Sequence, residues 1–592
     1  MSARRLEYHY LKLHRCYADT PVETTLQALA ERLSCTRRHV RSLLGQMEAQ
    51  GWIQWSSRAG RGYRSTLRCL CPPEHLLRQR VEGLLSQGHI EQAMELMETE
   101  PQQLTPLLLK QLGKTQQQGK QILRVPYYRP MPNLNPGLPL RRSEVHLVRQ
   151  IFNGLTRINE ENGEVESDLA HHWQPLDERQ WLFFLRPAVR FHDGHLLTVE
   201  DVLATLWRLQ AQPLFAHLQA VSALDARTIR IELSCADPRL PWLLADVQAM
   251  VLPADHASRA DFSSRPVGTG PYRVVENNAY HLRLRAFDDY FALRALLDEV
   301  DIWMMPLLAE QLELGARQVC GLEIQQESSA PGAAEESAQE STAAAPEMVL
   351  EQGGYFLLCD SRSPWWQAPS ARRWLQGVLN PYRLMNQVPL MIRRYWAPAA
   401  SLLPHWLHQQ APGESLAPPE LLASSEPRLR LAFYEQQPEY RLLAEEMCGL
   451  LAEQGITLEL IELDYAAWQQ GEIAADLWLG SVNFPAPAEW SLGCWLFGNP
   501  LLRRSIHGRD AAGVALWHQH WRAQQLSSEQ LVDQVIRDGW LQPLFHHWLR
   551  LQGPAQARGI RLNNLGWFDF KSAWLAPEVP TGGEVMAVGG IG

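Results

Sequence analysis

The segment TTLQALAERLSCTRRHVRSLLGQMEAQGWIQWSSRAGRGYRSTL, residues 24–67, leaves very few folds open. Leu26, Leu29, Ala30 and Leu33 stand at offsets of zero, three, four and seven, and Val40, Leu43, Leu44 and Met47 repeat that spacing. Apolar residues spaced in this way line one face of a helix. Only Ser34-Cys35-Thr36 separates the two stripes. This predicts a helix-turn-helix in which Thr36 caps the second helix. Arg37, Arg38, His39, Arg41 and Ser42 fall off the apolar stripe, in the first turns of that helix. A recognition helix meets base edges in a major groove with those turns. Gly51 ends the helix. Trp52-Ile53-Gln54-Trp55 and Ser65-Thr66-Leu67 read as two strands around a Gly-containing turn that carries Arg58, Arg61 and Arg64, which makes a wing. The expected DNA-contacting set is Thr36, Arg37, Arg38, His39, Arg41, Ser42, Arg58, Arg61 and Arg64. A plain helical hairpin with a solvated basic face is the bland alternative. It leaves the order of stripe, turn, basic first turn and basic hairpin unexplained.

Charge supports the nucleic-acid reading for this end alone. Residues 1–70 carry 12 Lys or Arg against 5 Asp or Glu, so a net −10 for the whole chain leaves −17 on the rest. A basic head can hold phosphates, and an acidic body repels them. Met1–Arg5 leads into an amphipathic helix (Leu6, Tyr10, Leu13, Tyr17) and not into the apolar run of a secretory leader. No apolar run is long enough to span a bilayer, so no membrane partner is expected. Nine scattered cysteines suit free thiols in a reducing compartment. Cys69-x-Cys71 has no second pair at finger spacing. The expectation is a cytoplasmic protein with no metal and no cofactor.

At 592 residues the chain is too long for one core. The expected division is a winged helix-turn-helix at 1–72, a helical connector at 73–120, a first lobe at 121–290 and a second lobe at 291–524. A flexible insertion at 327–346, a return to the first lobe at 525–575 and a loose tail at 576–592 complete it. Pro72-Pro73 closes the head, and the stripes Leu77, Val81, Leu84, Leu85 and Ile90, Ala93, Met94, Met97 predict the connector helices.

The body carries a recognisable order of motifs. It runs through Leu155-Thr156, Leu169-Ala170, Trp173, Leu185-Arg186, Val189, Phe191-His192-Asp193-Gly194, Thr198 and Glu200-Asp201-Val202. RPVGTGPYRV at 265–274 and FDDYF…LDEVDIW at 287–303 follow. This order resembles the periplasmic oligopeptide- and dipeptide-type solute-binding proteins, family 5. The resemblance implies a two-lobed α/β periplasmic-binding-protein-like (class C) domain that closes on a ligand by hinge motion. The whole chain is then multidomain, an α+β winged helix-turn-helix followed by that α/β domain. The head (ALAERLSCTRRHVRSLL), the junction (ILRVPYYRP) and LGWFDFKSAW at 565–574 resemble the SgrR family of bacterial transcriptional regulators. That resemblance implies a regulator of the sugar-phosphate stress response that activates a small-RNA promoter and represses its own gene. Its implied partners are double-stranded promoter DNA, a small-molecule effector such as a sugar phosphate, and RNA polymerase.

Read as chemistry, the body's motifs are structural. His192-Asp193-Gly194 predicts a turn, Thr198-x-Glu200-Asp201 a capped helix start, and Gly268-x-Gly270-Pro271 a strand entry. No nucleophile elbow, zinc-protease helix or phosphate-binding lysine loop is present, so no enzyme is expected. His171-His172 and His546-His547 are adjacent pairs whose side chains diverge. Candidate ligand contacts are arginines for an anion and flat rings for a sugar: Arg129, Arg362, Arg393, Arg394, Trp365, Trp366, Trp478 and Trp490, with Asn483. No acid follows Asp476 in LWLGSVNF, where peptide-binding relatives hold an amino terminus. The alternative reading is a cytoplasmic peptide- or sugar-binding module that the head merely tethers.

Overall fold

In the computed structural model, the described residues are 3–18, 20–57, 64–87, 89–97, 116–117, 119–305, 318–321, 347–393, 395–408, 427–435, 438–506, 511–552 and 557–576. Arg58, Arg61, Arg394, the expected insertion at 327–346 and nearly all of the expected tail lie outside them. The chain forms two compact units, Met1–Gln111 and Leu112–Gly592.

In the first unit the predicted helices form as read. α1 is Ala3–Tyr17, β1 Val22–Thr24, α2 Leu26–Leu33, α3 Arg37–Ala49, β2 Ile53–Ser56 and β3 Ser65–Cys69. The strands make one antiparallel sheet in the order β1-β3-β2. Tyr10, Leu13, Leu29, Leu33, Val40, Leu43, Leu44 and Met47 are all buried, so the three apolar stripes meet in one core. Between α2 and α3, Ser34 takes a left-handed conformation (φ 54°) that turns the chain within three residues. Gly51 (φ 71°) does the same after α3, where a Cβ would be strained. α4 (Pro73–Ser86) and α5 (Ile90–Met97) follow as a helical pair.

The second unit is built on three main sheets. A five-stranded sheet combines Tyr272–Asn277, His281–Ala286, Glu299–Met304, Lys120–Tyr127 and Gln116–Gln117. A four-stranded antiparallel sheet joins Leu218–Asp225, Thr228–Leu233, Gln180–Leu185 and Ala170–Asp177. The largest sheet is ordered Gln318–Gly321, Leu541–Gln552, Gly353–Cys359, Leu477–Asn483, Arg428–Tyr434 and Thr457–Leu463. Two boundaries differ from expectation. Glu299–Met304 pairs in parallel with Lys120–Tyr127 and so belongs to the first lobe, beyond the expected limit at 290. Leu541–Gln552 pairs with Gly353–Cys359 in the large sheet, although its Leu549 already reaches the first-lobe core that Trp567, Phe568 and Phe570 complete. The sequence of a strand does not by itself reveal which distant strand it pairs with, and both pairings are long-range.

The motif blocks hold the first lobe together. His192 Nδ1 accepts from Gly268 N–H (3.2 Å), and its Nε2–H donates to the Gly270 carbonyl (3.0 Å). The two signature blocks thus lock onto each other through one neutral ring, and burial pulls the His192 pKa down to about 4. A Cβ on Gly268 would sit 2.1 Å from the Ile151 carbonyl oxygen, so only glycine fits there. Asp201 accepts from the backbone of Thr198 (2.9 Å) and of Ala254 (2.8 Å), which makes it a helix-start residue as read.

Candidate functional sites, a recognition helix and an interlobe cleft

The first site is the start of α3. Thr36 is extended (φ −74°, ψ 152°), and its hydroxyl accepts from His39 N–H at 3.3 Å, which fixes the first turn. Arg38, Arg41 and Ser42 are exposed, on the face opposite Val40, Leu43, Leu44 and Met47. Arg37 is exposed as well, but its Nε donates to Gln27 of α2, so it braces the two helices and has less freedom to reach a base. Arg64 is exposed at the start of β3. His39 lies close to His9 of α1 and to Cys35 in the turn. Burial, with help from His39, Arg5 and Lys12, depresses the His9 pKa.

The second site is a cavity of about 330 Å³ between the lobes of the body. The first lobe contributes Tyr127, Tyr128, the turn at 136–142 and the helix carrying Arg208. The large-sheet lobe contributes Phe356, Tyr434, Tyr465, Trp468, Ser481, Asn483 and Trp495. Contacts already cross it. Tyr465 OH donates to the Leu140 carbonyl (3.0 Å), Arg142 Nη1 donates to Asn483 Oδ1 (3.4 Å), and the Arg141 guanidinium lies 5.0 Å from the Tyr465 ring centroid. Asn483 also donates to Glu351 (2.8 Å), which orients its amide.

The charge of this wall is lopsided. Arg129, Arg141, Arg142, Arg149 and Arg208 line it, against one carboxylate, Asp246. Arg129 is neutralised at home by a two-pronged pair with Glu144 (2.6 and 3.0 Å). Burial works against its charge, but Tyr127, Glu144 and Tyr128 outweigh burial and hold its pKa well above the usual value. Arg208 has no such partner. Its Nη2 donates to the Gln248 carbonyl (2.8 Å), whereas Nε and Nη1 are buried without a hydrogen bond. Burial alone pulls its pKa down to about 10, so it remains a cation at neutral pH.

Several expected ligand contacts lie elsewhere. Trp366 and Trp478 are fully buried core residues whose indole N–H groups are spent on the Asp476 carbonyl and on Asp360 Oδ2 (2.8 Å each). Trp490 is buried and stacks on Trp521 at 4.7 Å. Trp365 packs against the core, and Arg362 pairs with Asp360 (2.6 Å). None of these five lines the interlobe cavity, and neither does Arg393. Ring type alone does not place a side chain in a cleft, since Trp478 in its strand and Trp366 and Trp490 in their helices all face the core. Arg129 and Asn483 do line the cavity. Arg208 was missed because a charged residue off a helix's apolar stripe looks solvated, and nothing local marks it as covered.

Comparison with known proteins accords with this division. Residues 5–119 match the family described as the sugar transport-related sRNA regulator N-terminal domain, and residues 164–498 match the middle part of bacterial extracellular solute-binding proteins, family 5. Over 577 residues, the chain is 44% identical to the HTH-type transcriptional regulator SgrR of Yersinia enterocolitica (98% of this chain, 100% of that protein). It is 45% identical to that of Pectobacterium atrosepticum, with the same coverage. Among solved structures, the periplasmic binding protein DppA of Helicobacter pylori with the peptide STSA matches at a TM-score of 0.60 and 16% identity (77% of this chain, 98% of that one). The murein tripeptide binding protein MppA of Escherichia coli matches at 0.59 and 15% (78% and 100%). At those identities the likeness speaks for the fold. A helix-turn-helix head joined to a solute-binding body, with relatives matched end to end, makes this chain a member of the SgrR family of HTH-type transcriptional regulators.

Proposed function

We propose that the chain is a cytoplasmic, one-component regulator whose α3 reads double-stranded promoter DNA and whose body closes on a small anionic metabolite of the sugar-phosphate class. In this reading it serves the sugar-phosphate stress response, activates a small-RNA promoter through RNA polymerase and represses its own gene. The family's described role in sugar transport and small-RNA regulation supports the biology. The observation that carries the ligand class is Arg208, a half-buried arginine lining the cleft whose Nε and Nη1 are buried and unanswered. Buried donor nitrogens without an acceptor are unfavourable until an anion meets them, so the site is poised for a carboxylate or phosphate. Neighbouring arginines outnumber acids there even though the rest of the body is acidic. Flat rings at Tyr465 and Trp468 offer a stacking wall for a sugar. Ligand acts on DNA binding only through its preference for one state of the body. A hundredfold preference supplies about 2.7 kcal/mol of bias.

Calorimetry on the full chain tests the cleft. Sugar phosphates should bind and the parent sugars should not. Arg208→Met should lower that affinity at least tenfold while leaving the unliganded melting temperature unchanged or higher. Equal affinity for sugar and sugar phosphate would exclude an anion site. For the head, Arg38→Ala should cost about 1–3 kcal/mol of promoter affinity and relax preference at one base pair, read by footprinting.

A further inference from the structure

The head contains a cluster that joins His39, one of the expected DNA contacts, to two residues that DNA reading leaves unexplained. His9 lies on α1, Cys35 in the turn of the helix-turn-helix and His39 in the first turn of α3. One ligand atom from each lies within 4.8 Å of the other two. His9 is buried, and its Nδ1 finds no hydrogen-bond partner. Cys35 is a free thiol whose Sγ reaches only the Leu33 carbonyl (3.3 Å). The His9 and His39 rings stand edge to face at 6.1 Å. The cluster therefore gathers two imidazoles and a thiol from three separate elements, next to a buried nitrogen that the protein leaves unanswered.

We propose that His9, Cys35 and His39 form a site for a soft divalent cation of the zinc type, with a fourth position open to water. A thiolate and two imidazoles select Zn²⁺ or Co²⁺ over Mg²⁺ and Ca²⁺, which require oxygen donors. Tetrahedral coordination brings such ligand atoms to about 3.5 Å from one another, so small side-chain rotations complete the site. Cys35 and His39 are four residues apart across the cap of α3, which sets the thiol beside the first helical turn. On binding, the Cys35 S–H proton passes to solvent as the sulfur–metal bond forms, and nothing is oxidised or reduced. The metal stays three-quarters protein-bound, and it ties α1 and the turn to the start of the recognition helix. It also withdraws the His39 ring from base contact, so metal availability acts directly on the DNA-reading surface. The proposal is independent of any effector in the cleft.

Cobalt titration of the full-length protein, purified reduced and treated with chelator, tests it. The expected result is one Co²⁺ per chain with a thiolate-to-cobalt charge-transfer band, displaced by one equivalent of Zn²⁺. The band should vanish in Cys35→Ser and persist in Cys69→Ser, which separates this site from the neighbouring Cys69–Cys71 pair. His9→Gln should weaken Zn²⁺ by more than the roughly 10–100-fold that an outer partner of a bound metal is worth. Its melting curve without metal checks that the head still folds; if it does not, the Cys35→Ser result decides alone. No thiolate band in the wild type, or a band that survives Cys35→Ser, overturns the site.

Discussion

The head and the body keep their function in different kinds of residue. In the head, the segment that identifies the fold also presents the proposed DNA-reading surface. Thr36 starts α3, Val40 and Leu43 bury its back, and Arg38 and Arg41 project from its front. In the body, the identifying segments are spent on architecture. His192, Asp201, Gly268 and Gly270 hold strands and helix starts together, and the cleft is lined by residues outside those blocks, such as Arg141, Arg208 and Tyr465. A small helical module can put core and contact on opposite faces of one helix. A two-lobed receptor must first bring distant segments together, and its recognisable motifs serve that assembly.

Gly268→Ala is the harshest test of that contrast. The new Cβ would lie 2.1 Å from the Ile151 oxygen and 2.8 Å from the Phe152 ring, so a backbone must move. The expected cost is about 4 kcal/mol or more, in the range of severe core lesions. Urea unfolding followed by fluorescence of the tryptophan-rich body should report it, while promoter affinity at low temperature stays near wild type. If Gly268→Ala left body stability intact and altered ligand binding, the signature would be functional after all.

The second test uses protons. The unfolded chain takes a proton on His192 near pH 6.5, and the folded chain only near 4. Between those values the unfolded state binds more protons, so the stability is present above pH 6.5 and is lost as pH falls. The slope from this residue approaches about 1.4 kcal/mol per pH unit, and the whole window is worth about 3 kcal/mol. His192→Gln should therefore be less stable at pH 7.5, because Gly268 N–H and the Gly270 carbonyl lose their shared partner. It should also lose stability less steeply from pH 6.5 to 5. Parallel pH profiles for both proteins would mean that the ring is not held neutral.

The contrast also explains what could be read before the structure. The turn, the cap and both stripes of the head are local, set by spacings of three and four residues, and they were legible to the residue. The body's fold was implied by the resemblance of its motif blocks to family 5, not by spacing. Which lobe owns Glu299–Met304 or Leu541–Gln552 is decided by long-range pairing, with strand 120–127 and strand 353–359 respectively. The cleft suffers most. Arg129 and Arg208 are both arginines lining one cavity, yet one is answered by Glu144 and the other is not. Burial and the absence of a carboxylate decide that difference, and neither leaves a mark in the neighbouring sequence.

The mildest test falls on Thr36, the one residue read both as a cap and as a DNA contact. Its hydroxyl accepts from His39 N–H, which would otherwise be one of the orphan donors at a helix start. Thr36→Ala should cost about 1 kcal/mol, as lost caps do, and Thr36→Ser should restore it. Amide hydrogen exchange at the first turns of α3 in the full-length protein reads this directly. Faster exchange together with a proportionate loss of promoter affinity means that Thr36 acts by shaping the turn that carries Arg38 and Arg41. Unchanged exchange with weakened DNA binding would make its hydroxyl a phosphate contact. The head would then resemble the body less than proposed here, because even its cap would belong to the functional surface.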